Sequence, residues 1–121
     1  MTIKEIATRL VELANKGDFE TIYKELYSPD VVSIEMKGAP NEVAYGMAGI
    51  QAKGKSFGER LDGFHGQEIG EPIFADNFFA LRWVIDVTYK GKERAKDEEL
   101  CLYEVRDGKI VREQFFYTLP S

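Results

Sequence analysis

From Phe78 to Tyr117 apolar and polar positions alternate with a period of two. Phe79, Leu81, Trp83, Ile85, Val87 and Tyr89 interleave with Phe78, Ala80, Arg82, Val84, Asp86 and Thr88. The pattern continues through Glu99, Cys101, Tyr103 and Val105, then Val111, Glu113, Phe115 and Tyr117. Period two sends successive side chains to opposite faces, so the stretch predicts three long strands sharing one aromatic face. Ala75-Asp76-Asn77, Lys90-Gly91-Lys92 and Asp107-Gly108 supply the turns. Turns this short join antiparallel neighbours.

The first half of the chain changes period. Thr2 and Glu5 have capping-box spacing, and Ile3, Ile6, Leu10, Leu13 and Ala14 form a helical stripe that Gly17 ends. Asp18 caps a second predicted helix with Phe19, Ile22, Tyr23 and Leu26 on one face, stopped by Ser28-Pro29. Val31 to Met36 reads as a strand, and Gly38-Ala39-Pro40-Asn41 as a surface loop. Ile50, Gly54, Phe57 and Leu61 place a third helix over Met47 to Leu61, followed by a short strand from Phe64 to Gly70. Helices first and strands last predict an α+β fold, with three helices on one face of a curved antiparallel sheet.

At 121 residues the chain has the length of a single domain, 1–121. A net charge of −5 argues against a nucleic-acid partner. Cys101 is the only cysteine, which excludes an intrachain disulfide and favours a reducing compartment. The first residues lack the pattern of a secretion signal and no uninterrupted 18-residue apolar run occurs, so the expected location is cytoplasmic, without a membrane partner.

Candidate chemistry lies on the aromatic face. Glu35, Glu99 and Glu113 recur where core residues are expected, and unpaired buried carboxylates are costly. Their convergence would mark a pocket bounded by Trp83, Tyr103, Phe115 and Tyr117. Glu98 is the register alternative to Glu99, since a slip of one residue exchanges them. Cys101 has no basic neighbour to form a thiolate and reads as a small buried hydrophobe. His65 is the only histidine, so a histidine-cluster metal site is excluded. On the opposite sheet face, Val84, Leu100, Leu102 and Phe116 lie among Arg82, Asp86, Glu104, Arg112 and Gln114. Apolar groups mixed with both signs of charge predict a homodimer through that face.

Lys16-Gly17-Asp18-Phe19, Leu26-Tyr27-Ser28-Pro29-Asp30-Val31-Val32 and Asp107-Gly108-Lys109-Ile110-Val111, in this order of elements, resemble the SnoaL-like families of the nuclear transport factor 2-like superfamily. The resemblance spans essentially the whole chain. It implies a cone-shaped sheet with helices on its concave side, in a superfamily of isomerases, dehydratases, cyclases, epoxide hydrolases and non-catalytic binders. The general-base carboxylate of its ketosteroid isomerases falls on Glu35. Their two oxyanion donors fall on Leu10 and Cys101, neither a strong donor, which argues against steroid-type isomerisation. The acid–arginine–acid set of limonene-type epoxide hydrolases fits poorly too, because Arg82 and Asp86 alternate away from Trp83.

The expected function is binding, with or without turnover, of a small apolar molecule bearing a carbonyl or hydroxyl group, with no cofactor. Glu35 or Glu113 would move a proton in an isomerisation, dehydration or cyclisation. Tyr103 or Tyr117 would donate to a carbonyl oxygen, and Trp83, Glu99, Cys101, Phe115 and Tyr117 would bind the ligand. The competing expectation is a non-catalytic carrier or a dimeric interaction domain.

Overall fold

The computed structural model describes residues 1–119. Helix α1 spans Ile3–Asn15 and α2 spans Phe19–Leu26. The capping box forms as its spacing predicts: the Glu5 amide donates to Thr2 Oγ1 at 3.2 Å, and the Thr2 amide to Glu5 Oε1 at 2.8 Å. Asp18 caps α2 by accepting from the Thr21 amide at 3.2 Å. Strand β1 (Tyr27–Ile34), β2 (Val43–Tyr45), helix α3 (Gly46–Arg60) and strands β3 (Leu61–Ile69), β4 (Ile73–Ala75), β5 (Phe78–Tyr89), β6 (Ala95–Arg106) and β7 (Lys109–Phe116) follow.

The architecture is α+β: three helices and an open sheet ordered β2-β1-β7-β6-β5-β3, with β4 also paired to β5. One pairing departs from the antiparallel expectation. β1 runs parallel to β7, so the sheet is mixed. Short turns report only on strands adjacent in sequence, and these two lie at opposite ends of the chain. Strand one also begins earlier than Val31. Ser28 precedes a proline and so favours extended backbone, and Pro29 sits where the β1–β7 register shifts between Tyr27 and Val32. The three-residue strands β2 and β4 are too short for a period to show.

The inner sheet face packs against α1 and α2. Ile6, Leu10, Leu13, Ile22 and Leu26 close on Phe79, Leu81, Cys101, Tyr103 and Ile110, all essentially buried. Strand register lines up inward residues in rows across the sheet. One row reads Phe79, Tyr103, Glu113, Ser33; the next reads Leu81, Cys101, Phe115; a third pairs Trp83 with Glu99. The outward row between them reads Ile73, Ala80, Leu102, Gln114, Ile34, Val43. Among the described residues no helix is long and apolar enough to cross a membrane.

Gly46 controls the passage from β2 into α3. Its φ of +67° lies in the left-handed region, and a Cβ there would sit 3.3 Å from the Pro29 carbonyl oxygen. Gly46→Ala should therefore lower stability by about 1–2 kcal/mol. Urea unfolding checks this, and an unchanged midpoint would show that the junction tolerates a side chain.

Candidate functional site

The register between β5 and β6 settles which of the two adjacent glutamates turns inward. Glu99 lies opposite Trp83 on the inner face, whereas Glu98 points outward and pairs with Arg82. Glu113 lies between Tyr103 and Ser33 in the neighbouring row. Glu35 follows β1 directly, its backbone amide bonded to the Glu42 carbonyl at 2.8 Å. Alternation along β1 from Val31 through Ser33 turns it to the same side.

Helix α3 adds a residue that the sequence reading does not single out. Lys53 Nζ donates to Glu35 Oε2 at 2.5 Å and to Ser33 Oγ at 2.6 Å. Ser33 donates in turn to Glu113 Oε2 at 2.6 Å, and the Tyr27 hydroxyl bonds Glu113 Oε1. The Tyr117 hydroxyl donates to Glu35 Oε1 at 2.6 Å. A continuous chain of hydrogen bonds thus runs from Tyr117 through Glu35, Lys53, Ser33 and Glu113 to Tyr27. The Lys53 and Glu35 side chains are only 16% and 15% exposed, and the ammonium lies 4.8 Å from the Phe115 ring centre. That distance is within cation–π range.

The three carboxyls differ in what remains free. Glu113 is buried, and each of its oxygens accepts from a hydroxyl. Burial raises its pKa, opposed by Ser33, Tyr27 and the Lys53 charge. Both oxygens of Glu35 are likewise engaged. Glu99 accepts only a long bond from the Cys101 thiol, 3.6 Å from sulfur to Oε1. Burial, and next the nearby Glu35 charge, push its pKa up to about 7. A carboxyl with spare hydrogen-bonding capacity that titrates near neutrality can both give and take a proton. The Cys101 thiol itself is pushed far upward by burial and then by Glu99, so it stays protonated and unreactive.

The remaining residues expected at the site fall into two groups. Tyr103 is buried, stacked on Phe79 with ring centres 4.8 Å apart, and burial raises its phenol far above the usual value. Phe115 lies beneath Lys53, and the half-buried Tyr117 joins the network through Glu35. Trp83 faces the same side, but its indole donates to Gln67 Oε1 at 3.0 Å, and Gln67 donates to the Ala14 carbonyl at 2.6 Å. Stacking on Phe19 at 6.1 Å ties it further to the helices. His65 is exposed and bonds Thr88 at 2.8 Å. Among the described residues no three metal-ligating side chains are grouped to hold an ion, and the positive charge amid these carboxylates is the Lys53 ammonium. Two open depressions of about 350 Å³ each flank α1, one beside Lys4 and Arg9 and one beside Ile69 and Pro72; neither borders the three carboxyls.

Lys53, Ser33 and Tyr27 are the site residues missed from sequence. A signal existed for two of them. Lys53 lies three residues after Ile50 and four before Phe57, on the helical stripe assigned to the core, and Ser33 shares strand parity with Val31 and Glu35.

Comparison with known proteins agrees with this architecture. The family model of the SnoaL-like domain matches residues 1–117, and the chain belongs to that family. A Mesorhizobium loti protein described as a candidate SnoaL-like polyketide cyclase, and also as a carbohydrate phosphatase, is 35% identical. It superposes with a TM-score of 0.89 over 97% of this chain and 100% of its own. An NTF2-like protein of Burkholderia thailandensis shares the fold at 18% identity and TM-score 0.84, covering 98% and 92% of the two chains. So does TerC, crystallised with polyporic acid, at 20% identity and TM-score 0.81, covering 96% and 91%. No curated protein matches the chain.

A pH dependence of stability follows from Glu99. Its folded pKa of about 7 exceeds the ordinary 4.5, so ionisation opposes folding. Stability linked to this group is complete below pH 4.5 and is lost as pH rises to about 7, by roughly 3 kcal/mol in all. Glu99→Gln, which stays neutral, should therefore gain in melting temperature over the parent between pH 5 and pH 8. A difference independent of pH would show that Glu99 titrates normally.

Proposed function

We propose that the inner face binds a small, largely apolar molecule through a carbonyl or hydroxyl group, and that Glu99 exchanges a proton with it. The observation that carries this reading is a carboxyl, the one of the three inward ones among the described residues with unspent hydrogen-bonding capacity, whose pKa is pushed up to about 7 and which is set beside Phe115, Tyr117 and Trp83. In its neutral form Glu99 donates to a carbonyl oxygen; ionised, it removes a proton from carbon next to such a carbonyl. Isomerisation, dehydration and aldol-type cyclisation all use these steps. Likeness to the Mesorhizobium loti protein, described as a candidate polyketide cyclase and also as a carbohydrate phosphatase, supports the cyclisation among these. Tyr103, whose phenol neighbours Cys101 and Glu99, is the donor offered to the substrate oxygen. Glu35 and Glu113 hold the network in place instead of moving the proton, because their oxygens are occupied.

The ligand is neutral in this reading. Lys53 already serves Glu35 and Ser33, so an anionic ligand would meet carboxylates without a free counter-charge. A panel of neutral phenols and aromatic ketones, each paired with its carboxylate analogue, tests this by thermal shift. Neutral members should raise the melting temperature, with about 2.7 kcal/mol of added stability at a hundredfold excess over Kd, and Tyr117→Ala and Glu99→Gln should weaken the effect. Stabilisation by the carboxylates alone, or by nothing in the panel, would favour an interaction domain.

The outward sheet face, from Ile73 and Leu100 across to Phe116 and Val43, supports a homodimer. Ile73, Val43, Leu100 and Phe116 are exposed there, with Arg82 and Glu98 of opposite charge beside them. A two-fold partner would cover this face. Sedimentation should return about twice 13.8 kDa, and Leu102→Lys should shift the protein towards monomer. A monomeric parent protein at micromolar concentration contradicts the dimer.

A further inference from the structure

Packing alone does not call for a charge at position 53. Lys53 is mostly buried, lies against Phe115 and reaches only groups that its own charge helps to keep polar. A buried ion pair adds little net stability over an apolar side chain of the same size, because desolvation cancels most of the attraction. A methionine at this position would fill similar space under the ring. What the ammonium does, and methionine could not do, is fix the partners of the carboxylates around it.

Its bonds make that sorting specific. One hydrogen bond takes Glu35 Oε2, whose other oxygen already accepts from Tyr117. A second takes Ser33 Oγ, which orients the serine proton towards Glu113, whose other oxygen is bonded to Tyr27. No comparable donor reaches Glu99 among the described residues. We propose that Lys53 is the positioning residue of the inner site: it fastens Glu35 directly and Glu113 through Ser33, and so leaves Glu99 as the carboxyl that meets the ligand. This rests on the proton-exchange role given to Glu99 above, but the sorting itself is a property of the free protein.

Glu35 after β1, Cys101 on β6, Lys53 on α3 and Glu113 on β7 act on Glu99, whose own charge in turn raises the phenols of Tyr103 on β6, Tyr89 on β5 and Tyr117 after β7. Lys53 is the only cation that acts directly on Glu99 in this set, and it opposes the upward push of Glu35 and Glu113. Two substitutions therefore move Glu99 in opposite directions. Lys53→Met removes the attraction and should raise the titration midpoint of Glu99 by about one pH unit, as expected for loss of a nearby opposite charge. Glu35→Gln removes a repulsion and should lower the midpoint.

Carboxyl-carbon NMR titration of the full chain, with no ligand present, reads both effects. The proposal predicts an upward shift in Lys53→Met, a downward shift in Glu35→Gln, and a midpoint near that of the parent in Lys53→Arg. A folded Lys53→Met protein with an unmoved midpoint would overturn it, as would shifts of the same sign in both variants, which would indicate general loosening. Should Lys53→Met fail to fold, Glu35→Gln alone decides, and an upward or absent shift rejects the proposal. If the opposite shifts appear while no neutral ligand binds, the sorting by Lys53 stands and the ligand-binding reading falls.

Discussion

A carboxyl buried on the inner face of a sheet has to be met by donors, and the site is organised around that requirement at Glu113. With 6% of its surface exposed, Glu113 cannot be left to solvent, and desolvating an unpaired carboxylate would cost several kcal/mol. Tyr27 and Ser33 occupy its two oxygens. Lys53 then satisfies the serine, and Glu35 balances the lysine. Each partner calls for the next, and the series ends at Tyr117, which is half-buried and near the edge of the site.

The fold supplies these partners through one unusual pairing. β1 lies parallel to β7, which brings Ser33 opposite Glu113 although they are 80 positions apart in the chain. Gly46 turns the backbone out of β2 so that α3 can lie over β1 with Lys53 on its buried side. The antiparallel ladder of β5 and β6 places Glu99 across from Trp83, out of reach of that helix's ammonium as a hydrogen-bond partner. Two carboxyls are consequently tied into the protein and a third is left with a thiol, a weak donor. Desolvation and then the Glu35 charge, only partly offset by Cys101 and Lys53, raise its pKa towards neutrality.

The long strands were legible because twelve-residue β5 and β6 repeat the period-two pattern enough times to define a face, and the inward set from Phe79 to Tyr103 follows from it. Helix α1 was legible from its cap and stripe. The parallel pairing was not, since nothing local distinguishes a strand that joins its sequence neighbour from one that crosses to β7. Strand parity makes Glu99 and Glu113 inward acids, but their division of labour depends on hydrogen bonds from Lys53, Ser33 and Tyr27. A lysine on a helix that also contains Gly54 and Gly58 reads first as solvent-exposed, and only its spacing from Ile50 and Phe57 hints otherwise. Trp83 takes its expected place in the aromatic row, and its indole is further tied to Gln67 and Phe19, neither of which strand parity could show.

One inward carboxyl, Glu99, is poised to exchange a proton near neutral pH. Titration of the parent protein followed at the Glu99 carboxyl carbon tests this without a ligand or a substitution. The account predicts a midpoint of about 7. A midpoint at the ordinary value of 4.5 would contradict it, for Glu99 would then be an ionised, solvated side chain with no proton to give at neutrality.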